Sequence, residues 1–513
     1  MKKAIHFFGI SLIFIIHSFS AGAQQDTRVD SLKKYLNDAR VKWNVPALSV
    51  GIIHNDSIVL LEGFGEREIG TGKAVDGNTL FAVASNTKAF TATALGILSD
   101  EGKLRWDDKV IDYLPWFRLY DPYVTANMTI RDLLTHRSGL ATFSGDLIWY
   151  GSTHSRQEII ERAAFLKPVY GFRSNYGYSN IMYLAAGEII KVVSGQPWED
   201  FVQHRILDPL GMANTLTSTT QLKGVTNVAM PHNDVGDNII QIKYLNWDNI
   251  APAGALISSS ADMLKWLKFQ LHHGKISDST LVKASTMREM QHSQTVMNVS
   301  AFSKKFWPST HFKTYGLGWS LMDYHGRKVI SHSGGYDGMI SFSAFVPEEN
   351  LGFVILTNKN SSLYYPLSFK ILDVFLSQDT TDWSNDFYEL ITRNEAAEKQ
   401  SREEEKSKRI KGTSPTLPLE AYAGTYTSEI YGDVVVELNN KELSLRFVPT
   451  PMFHSPLMHW QYNTFLIKFP DVPSLPEGKA AFVLDMDSKV HQLLIDVPNP
   501  DFDFTELNFI KNK

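Results

Sequence analysis

The stretch Phe81-Ala82-Val83-Ala84-Ser85-Asn86-Thr87-Lys88-Ala89-Phe90, FAVASNTKAF, sets a serine and a lysine three residues apart where a helical pattern begins. Four apolar residues precede Ser85, and AFTATALGILSD follows Lys88. A helix apolar on nearly all sides is a buried helix. A lysine in its first turn then pays a desolvation cost, which lowers its pKa toward the range where it can accept a proton. Positions i and i+3 share a helix face, so Lys88 can reach Ser85. A serine near a helix N-terminus also sits where the dipole favours developing negative charge. The bland alternative is a capping serine beside a structural lysine. S-x-x-K recurs at Ser31 and Lys34, in SLKKYL, where adjacent Lys33 and Lys34 belong to a charged amphipathic helix. That second pair reads as solvated surface.

A nucleophilic serine of this kind needs a further base, an amide to orient the substrate and a strand that offers backbone donors. Y-x-N occurs at Tyr35, Tyr178 and Tyr244. The first copy lies in the N-terminal helix, and the third, in YLNW, reads as ordinary packing. The second, Tyr178-Ser179-Asn180, lies in a turn-rich loop before an apolar helix, where side chains are presented into a cleft. HSGG, His332 to Gly335, follows an apolar strand and reads as a glycine turn that lets backbone approach a substrate. Its competitor, Arg137-Ser138-Gly139, comes before Tyr178 in the chain and fits the order less well. The plain reading of HSGG is a hairpin turn carrying a surface histidine.

Working outward, Asp26 to Lys42 reads as a helix, and Leu48–His54 and Ser57–Gly65 read as two strands joined by a tight turn. From about Arg105 to Met290 the signals are mainly helical. Strand signals return at Tyr315–Met322, Arg327–Ser333, Ile340–Pro347 and Leu351–Asn358, and a helix over Leu363–Leu376 closes the unit. Strands at both ends with helices between them predict an α+β architecture, an antiparallel sheet with a helical insertion. Asn394 to Lys411 is dense in charge and reads as a solvated helical linker. Beyond about Leu417 seven short strand signals, from GTYTS to FTELNFI, predict a small β-barrel or sandwich.

The chain has 513 residues, enough for two or more domains, and 43% of them are apolar. Lys2 and Lys3, the apolar run Phe7–Phe19 and the small residues Ala21-Gly22-Ala23 have the form of an export signal. The expected division is a signal peptide over 1–23, a catalytic domain over 24–380, a linker over 381–416 and a β domain over 417–513. The expected location is the periplasm or the outside of the cell. There is no cysteine, which excludes disulfides, thiol nucleophiles and cysteine-ligated metals. A formal net charge of −5 points to no nucleic-acid partner. The 16 histidines include His272 and His273 near a helix end, but no H-E-x-x-H, so neither metal nor cofactor is expected. G-x-S-x-G is absent, which argues against an α/β-hydrolase.

Taken in order, S-x-x-K, Y-x-N and H-S-G resemble the serine β-lactamase and penicillin-binding-protein superfamily. The branch with Y-x-N is the most similar, and EGKLRWDDKVIDYLP, LLTHRSGL and YGLGW agree with it. The resemblance covers roughly Asp26 to Leu376. It implies Ser85 as the acylated nucleophile, Lys88 as its activator and Tyr178 as general base, either as phenolate or in a shared-proton network with Lys88. It further implies that Asn180 and His332 bind substrate, and that the N–H groups of Ser85 and Gly335, beside Gly334, form an oxyanion hole. Histidine stands where β-lactamases and DD-peptidases usually carry lysine. It is mostly neutral at pH 7, which favours a peptidase or esterase over a β-lactamase. A peptide or amide bond, including one beside a D-amino acid, is the leading substrate, then an ester. A β-lactamase or DD-carboxypeptidase, and a non-catalytic penicillin-binding-like protein, are the alternatives. The C-terminal module resembles the lipocalin-like domain appended to some of these hydrolases.

Overall fold

The computed structural model describes residues 17–236, 238–377 and 379–512. Most of the expected export signal therefore lies outside the described residues. No helix among the described residues is long and apolar enough to cross a membrane.

Eight strands form one antiparallel sheet: β1 (Ala47–His54), β2 (Ser57–Gly65), β3 (Thr295–Met297), β4 (Lys313–Tyr315), β5 (Ser320–Tyr324), β6 (Arg327–Tyr336), β7 (Met339–Val346) and β8 (Leu351–Thr357). Their spatial order is β2-β1-β8-β7-β6-β5-β4-β3. The two ends of this region meet at β1 and β8, paired from Leu48–Thr357 to His54–Leu351. The architecture is α+β, with the helical insertion entering between β2 and β3.

Every residue of β8 is buried, because both faces of the sheet are covered. Side chains alternate across a strand. Phe353 and Ile355 pack in the cluster that holds Leu32 and Leu36 of helix α1 (His17–Lys42) and Leu367 of helix α5 (Tyr364–Leu376). Val354 and Leu356 pack in the larger cluster, with Leu264 of α4 (Ser260–Leu271) and Phe90 of α2 (Thr87–Asp100). Helix α3 (Asn180–Ser194) packs on α2 in that second layer. Twelve consecutive residues of α2, Thr87 through Leu98, are buried, as its composition predicts.

Two strand expectations change. Tyr315–Met322 is not one strand, since it breaks into β4 and β5 around Gly316–Trp319, where Gly316 N–H bonds Trp319 C=O at 2.7 Å. Gly318 has φ +81°, and a Cβ there would lie 2.9 Å from the Lys88 carbonyl oxygen and the Ala89 Cα. The break is what lets this segment pack against the first turn of α2. HSGG is not a turn either. It lies inside β6, and the reversal comes at Asp337-Gly338, with Gly338 at φ +72°. A Cβ on Gly334 would lie 2.9 Å from the Ser85 nitrogen, so glycine is required here by close backbone approach.

Helix α6 (Trp383–Ser407) spans most of the expected linker. Its first turn docks, with Trp383 donating to Asp373 at 2.6 Å, while its charged remainder is exposed. Then eight sequential antiparallel strands close a barrel: Gly424–Ser428, Gly432–Asn439, Glu442–Phe447, His454–Gln461, Thr464–Ile467, Gly478–Leu484, Val490–Asp496 and Asn508–Lys511. Closure alone removes exposed strand edges. The strand absent from the sequence reading, His454–Gln461, carries Pro456, which denies an N–H to the ladder and masks the signal. Tyr426, Phe447, Phe465, Phe482 and Phe509 are buried, so the barrel is filled by its own side chains.

Candidate active site

Within Phe81–Phe90 only Ser85 is not buried. It sits in a single 3₁₀ turn, Ala84–Asn86, that leads directly into α2. Ala84 holds φ +43°, a left-handed conformation that costs a non-glycine residue of order 1–3 kcal/mol and persists only where its surroundings impose it. Asn86 supplies that restraint. Its amide donates to Ser341 Oγ at 2.8 Å and accepts from Ser343 Oγ at 2.5 Å, tying the turn to β7.

Lys88 is fully buried. Its Nζ donates to Ser85 Oγ at 3.0 Å, to Asn180 Oδ1 at 2.7 Å and to the Ala253 carbonyl at 2.9 Å. Burial lowers its pKa to about 7, with Asp146 holding it back from falling further. Asp146 was not singled out from the sequence. Its Oδ2 accepts from Asn180 Nδ2 at 2.7 Å and its Oδ1 from Trp149 Nε1 at 2.8 Å. Burial raises it to about 7. Asn180 thus bridges an amine and a carboxyl group whose charges favour each other.

Tyr178 faces the same space, with Lys88 Nζ 4.7 Å from its ring centroid. Burial pushes its phenol well above the usual value, and its interaction with Ser85 offsets this only in part. The loop carrying it is pinned by Phe143 N–H to the Tyr178 carbonyl at 2.8 Å and by Ser179 N–H to His136 Nδ1 at 3.0 Å. His136, in the LLTHRSGL stretch, is also new. It is fully buried at φ +55°, and its ring lies 4.2 Å from that of Tyr178.

His332 lines the cleft but spends both ring nitrogens inside the protein. Tyr315 donates to Nε2 at 2.9 Å, and Nδ1 bonds the Ser333 carbonyl at 2.6 Å. Burial lowers it to about 3, so it presents no cation to a substrate, and its expected substrate contact is not made by a free nitrogen. The β5–β6 pairing ends at Ser320–Ser331, while β6 continues to Tyr336 paired only with β7. The other backbone edge of His332–Tyr336 is open, and Ser85, Tyr178, Asn180, Gly334 and Gly335 share a cleft of about 610 Å³ with it.

The barrel also reaches this cleft. The Glu506 carboxylate accepts from Gly145 N–H at 2.8 Å and from the Ser144 hydroxyl, next to Asp146. Thr153 N–H bonds the Pro449 carbonyl at 2.8 Å, and Phe502 packs 4.4 Å from Tyr150. Among the rejected motifs, Tyr244 donates to the Ala229 carbonyl at 2.8 Å, and His272 pairs with Asp56 at 2.5 Å. No group of three or more His, Asp or Glu side chains among the described residues is placed to hold a metal ion.

A family model described as beta-lactamase matches residues 32–366. The chain belongs to the beta-lactamase family. A second model, a domain of unknown function named DUF3471, matches residues 408–511, the barrel. Over 454 residues the chain is 29% identical to the unguisins hydrolase ungD of Aspergillus violaceofuscus, spanning 82% of this chain and 78% of that protein. It is 28% identical to penicillin-binding protein 4 of Amycolatopsis lactamdurans, over 62% of this chain and 82% of the relative. In fold it resembles the octameric penicillin-binding protein homologue of Pyrococcus abyssi, at TM-score 0.62 and 20% identity, over 94% of this chain and 100% of the other. It also resembles a D-stereospecific amidohydrolase from a Streptomyces species, at TM-score 0.55 and 23% identity, over 68% and 99%.

Proposed function

We propose that this family member is an exported serine hydrolase that cleaves an amide or peptide bond, including one beside a D-amino acid, through an acyl-enzyme on Ser85. The observation that carries the reading is the 3.0 Å contact between Ser85 Oγ and a fully buried Lys88 whose pKa falls to about 7. A lysine so placed is in large part a free amine at neutral pH and can take the serine proton.

In the first step Lys88 accepts the proton of Ser85 as Oγ bonds the substrate carbonyl carbon. The carbonyl oxygen becomes an oxyanion between the N–H groups of Ser85 and Gly335, each such donor being worth about 2.7–4 kcal/mol in other acyl-transfer enzymes. Tyr178, held as a neutral phenol, passes a proton to the leaving nitrogen and is replenished from Lys88. The amine departs and leaves an ester on Ser85. Water then gives a proton to the Tyr178–Lys88 pair as its oxygen bonds the ester carbon, the ester bond to Ser85 breaks, the proton passes to Ser85 Oγ and the acid product departs. Of the two roles open to Tyr178, burial favours the shared-proton network over a resting phenolate.

An ester would follow the same steps with an easier leaving group. A β-lactamase is less well supported, because neutral, fully engaged His332 stands where a cation would meet the substrate carboxylate. The relatives named as a hydrolase and a penicillin-binding protein support acyl transfer in general. A fluorophosphonate probe should label the protein and fail to label Ser85→Ala. Labelling that persists in the variant would remove Ser85 from its role. Aminoacyl anilides of both chiralities, p-nitrophenyl esters and nitrocefin, assayed side by side, rank the substrates, and fast nitrocefin turnover would reverse the preference stated here.

A further inference from the structure

Away from Lys88, which lies behind Ser85, and from neutral His332, the ionisable side chains that line the cleft are acidic. Among the described residues that line it there is no lysine or arginine, but there are three aspartates, Asp146, Asp337 and Asp501. Asp146 is already engaged by Asn180 and Trp149. Asp337 is not fully engaged. Its Oδ1 accepts from the Tyr150 hydroxyl at 2.6 Å, while its Oδ2 is buried without a hydrogen-bond partner. A carboxylate oxygen left so is unfavourable unless a donor comes from outside. Asp337 follows Gly335 by two residues, roughly 7 Å along an extended chain.

Asp501 approaches from the barrel. Asn499 Oδ1 accepts from the N–H groups of Asp501 and Phe502 at 2.7 and 3.1 Å, shaping the loop. Phe502 against Tyr150 and Glu506 against Gly145 hold that loop on the catalytic domain. The two carboxylates repel each other, which adds to the upward push of burial on Asp337, to about 6. Trp149, Tyr150, Trp247 and Tyr336 form the neighbouring wall, with Trp247 4.6 Å from Tyr336 and 5.1 Å from Trp149. Asp337 and Asp501, with no lysine or arginine beside them in the lining and set among aromatic rings, match an ammonium or guanidinium group. They repel a substrate carboxylate.

We propose that Asp337 and Asp501 form a subsite, built across the seam between the two domains, that binds a cationic amine or guanidine group of the substrate. This rests on the serine-hydrolase reading for its substrate but concerns a different part of the cleft. Binding is therefore measured without turnover, by calorimetry on the full-length Ser85→Ala protein. The probes are a dipeptide amide with a free amine and its N-acetyl form, then the Nα-acetyl amides of lysine and norleucine. In at least one pair the cationic member should bind about tenfold tighter or more, and that ratio should fall toward one when Asp501→Asn or Asp337→Asn is added. Asp501 is an exposed loop residue, so its variant tests the site if Asp337→Asn misfolds. Equal affinity within both pairs, or a ratio unchanged by Asp501→Asn, overturns the subsite. Fluorophosphonate labelling of the unsubstituted protein tests the serine-hydrolase reading separately, so failure of one is distinguishable from failure of the other.

Discussion

Ser31 and Lys34 on α1, and Ser85 and Lys88 at the start of α2, share one spacing and almost nothing else. The Lys34 side chain is 79% exposed and bonds Asp38 one turn on, at 2.6 Å. Lys88 is 0% exposed and is held by Ser85, Asn180 and a carbonyl. Solvent hydrates the first ammonium. The second has lost that hydration, and its proton becomes available near neutral pH. A motif four residues long states only that two groups can meet. The dielectric around them decides whether a proton can pass.

The largest effect that would break or sharpen this contrast is on the nucleophile. Ser85→Ala should lower turnover of any accepted substrate by about 10⁴-fold or more, whereas Ser31→Ala should leave kcat/KM unchanged. Next comes the base, where Lys88→Met should cost about 10²–10⁴-fold in kcat. Third is the packing that buries it. Gly318→Ala places a Cβ against the Lys88 carbonyl at φ +81° and should destabilise the fold by about 1–3 kcal/mol, read by urea denaturation. Smaller again is a shift in pH profile. Free Lys88 grows as pH rises through about 7, so kcat/KM should rise with pH and level off above it. The Asp146 charge raises Lys88, so Asp146→Asn should move that limb to lower pH, and an upward movement would refute the link. The smallest is Lys34→Ala, which should change stability by no more than about 0.5 kcal/mol and leave the pH profile untouched.

Much of the site is legible in the chain because its signals are local. Ser85 and Lys88 lie within one turn, and the apolar run around them announces burial. Tyr178 and Asn180 precede an apolar helix, and the glycines of β6 mark a close approach. Asp146 and His136 gave no such sign. Asp146 opens a short helix and His136 lies in a turn, and the partner that ties each to the site is far along the chain, Asn180 for one and Ser179 for the other. His332 shows the reverse case. Its place in the motif was clear, but its two hydrogen bonds, to Tyr315 and its own strand, removed the role its type suggested. The barrel strand His454–Gln461 was hidden by Pro456, which is tolerated because closure and neighbouring pairs outweigh one lost donor.

By itself the sequence determined the α+β class, the strands at both ends, the appended β module and the order of the reactive motifs. These follow from apolar periodicity and short spacings, which act over a few residues. Only the tertiary structure decided the protonation of the site and the shape of its far wall. Burial of Lys88 and Asp146 depends on every element packed around them. Asp501 and Phe502 enter a cleft formed by residues hundreds of positions earlier, because the barrel docks on Gly145, at the start of the short helix that carries Asp146. Desolvation and long-range contact belong to the assembled fold, and no stretch of sequence contains them.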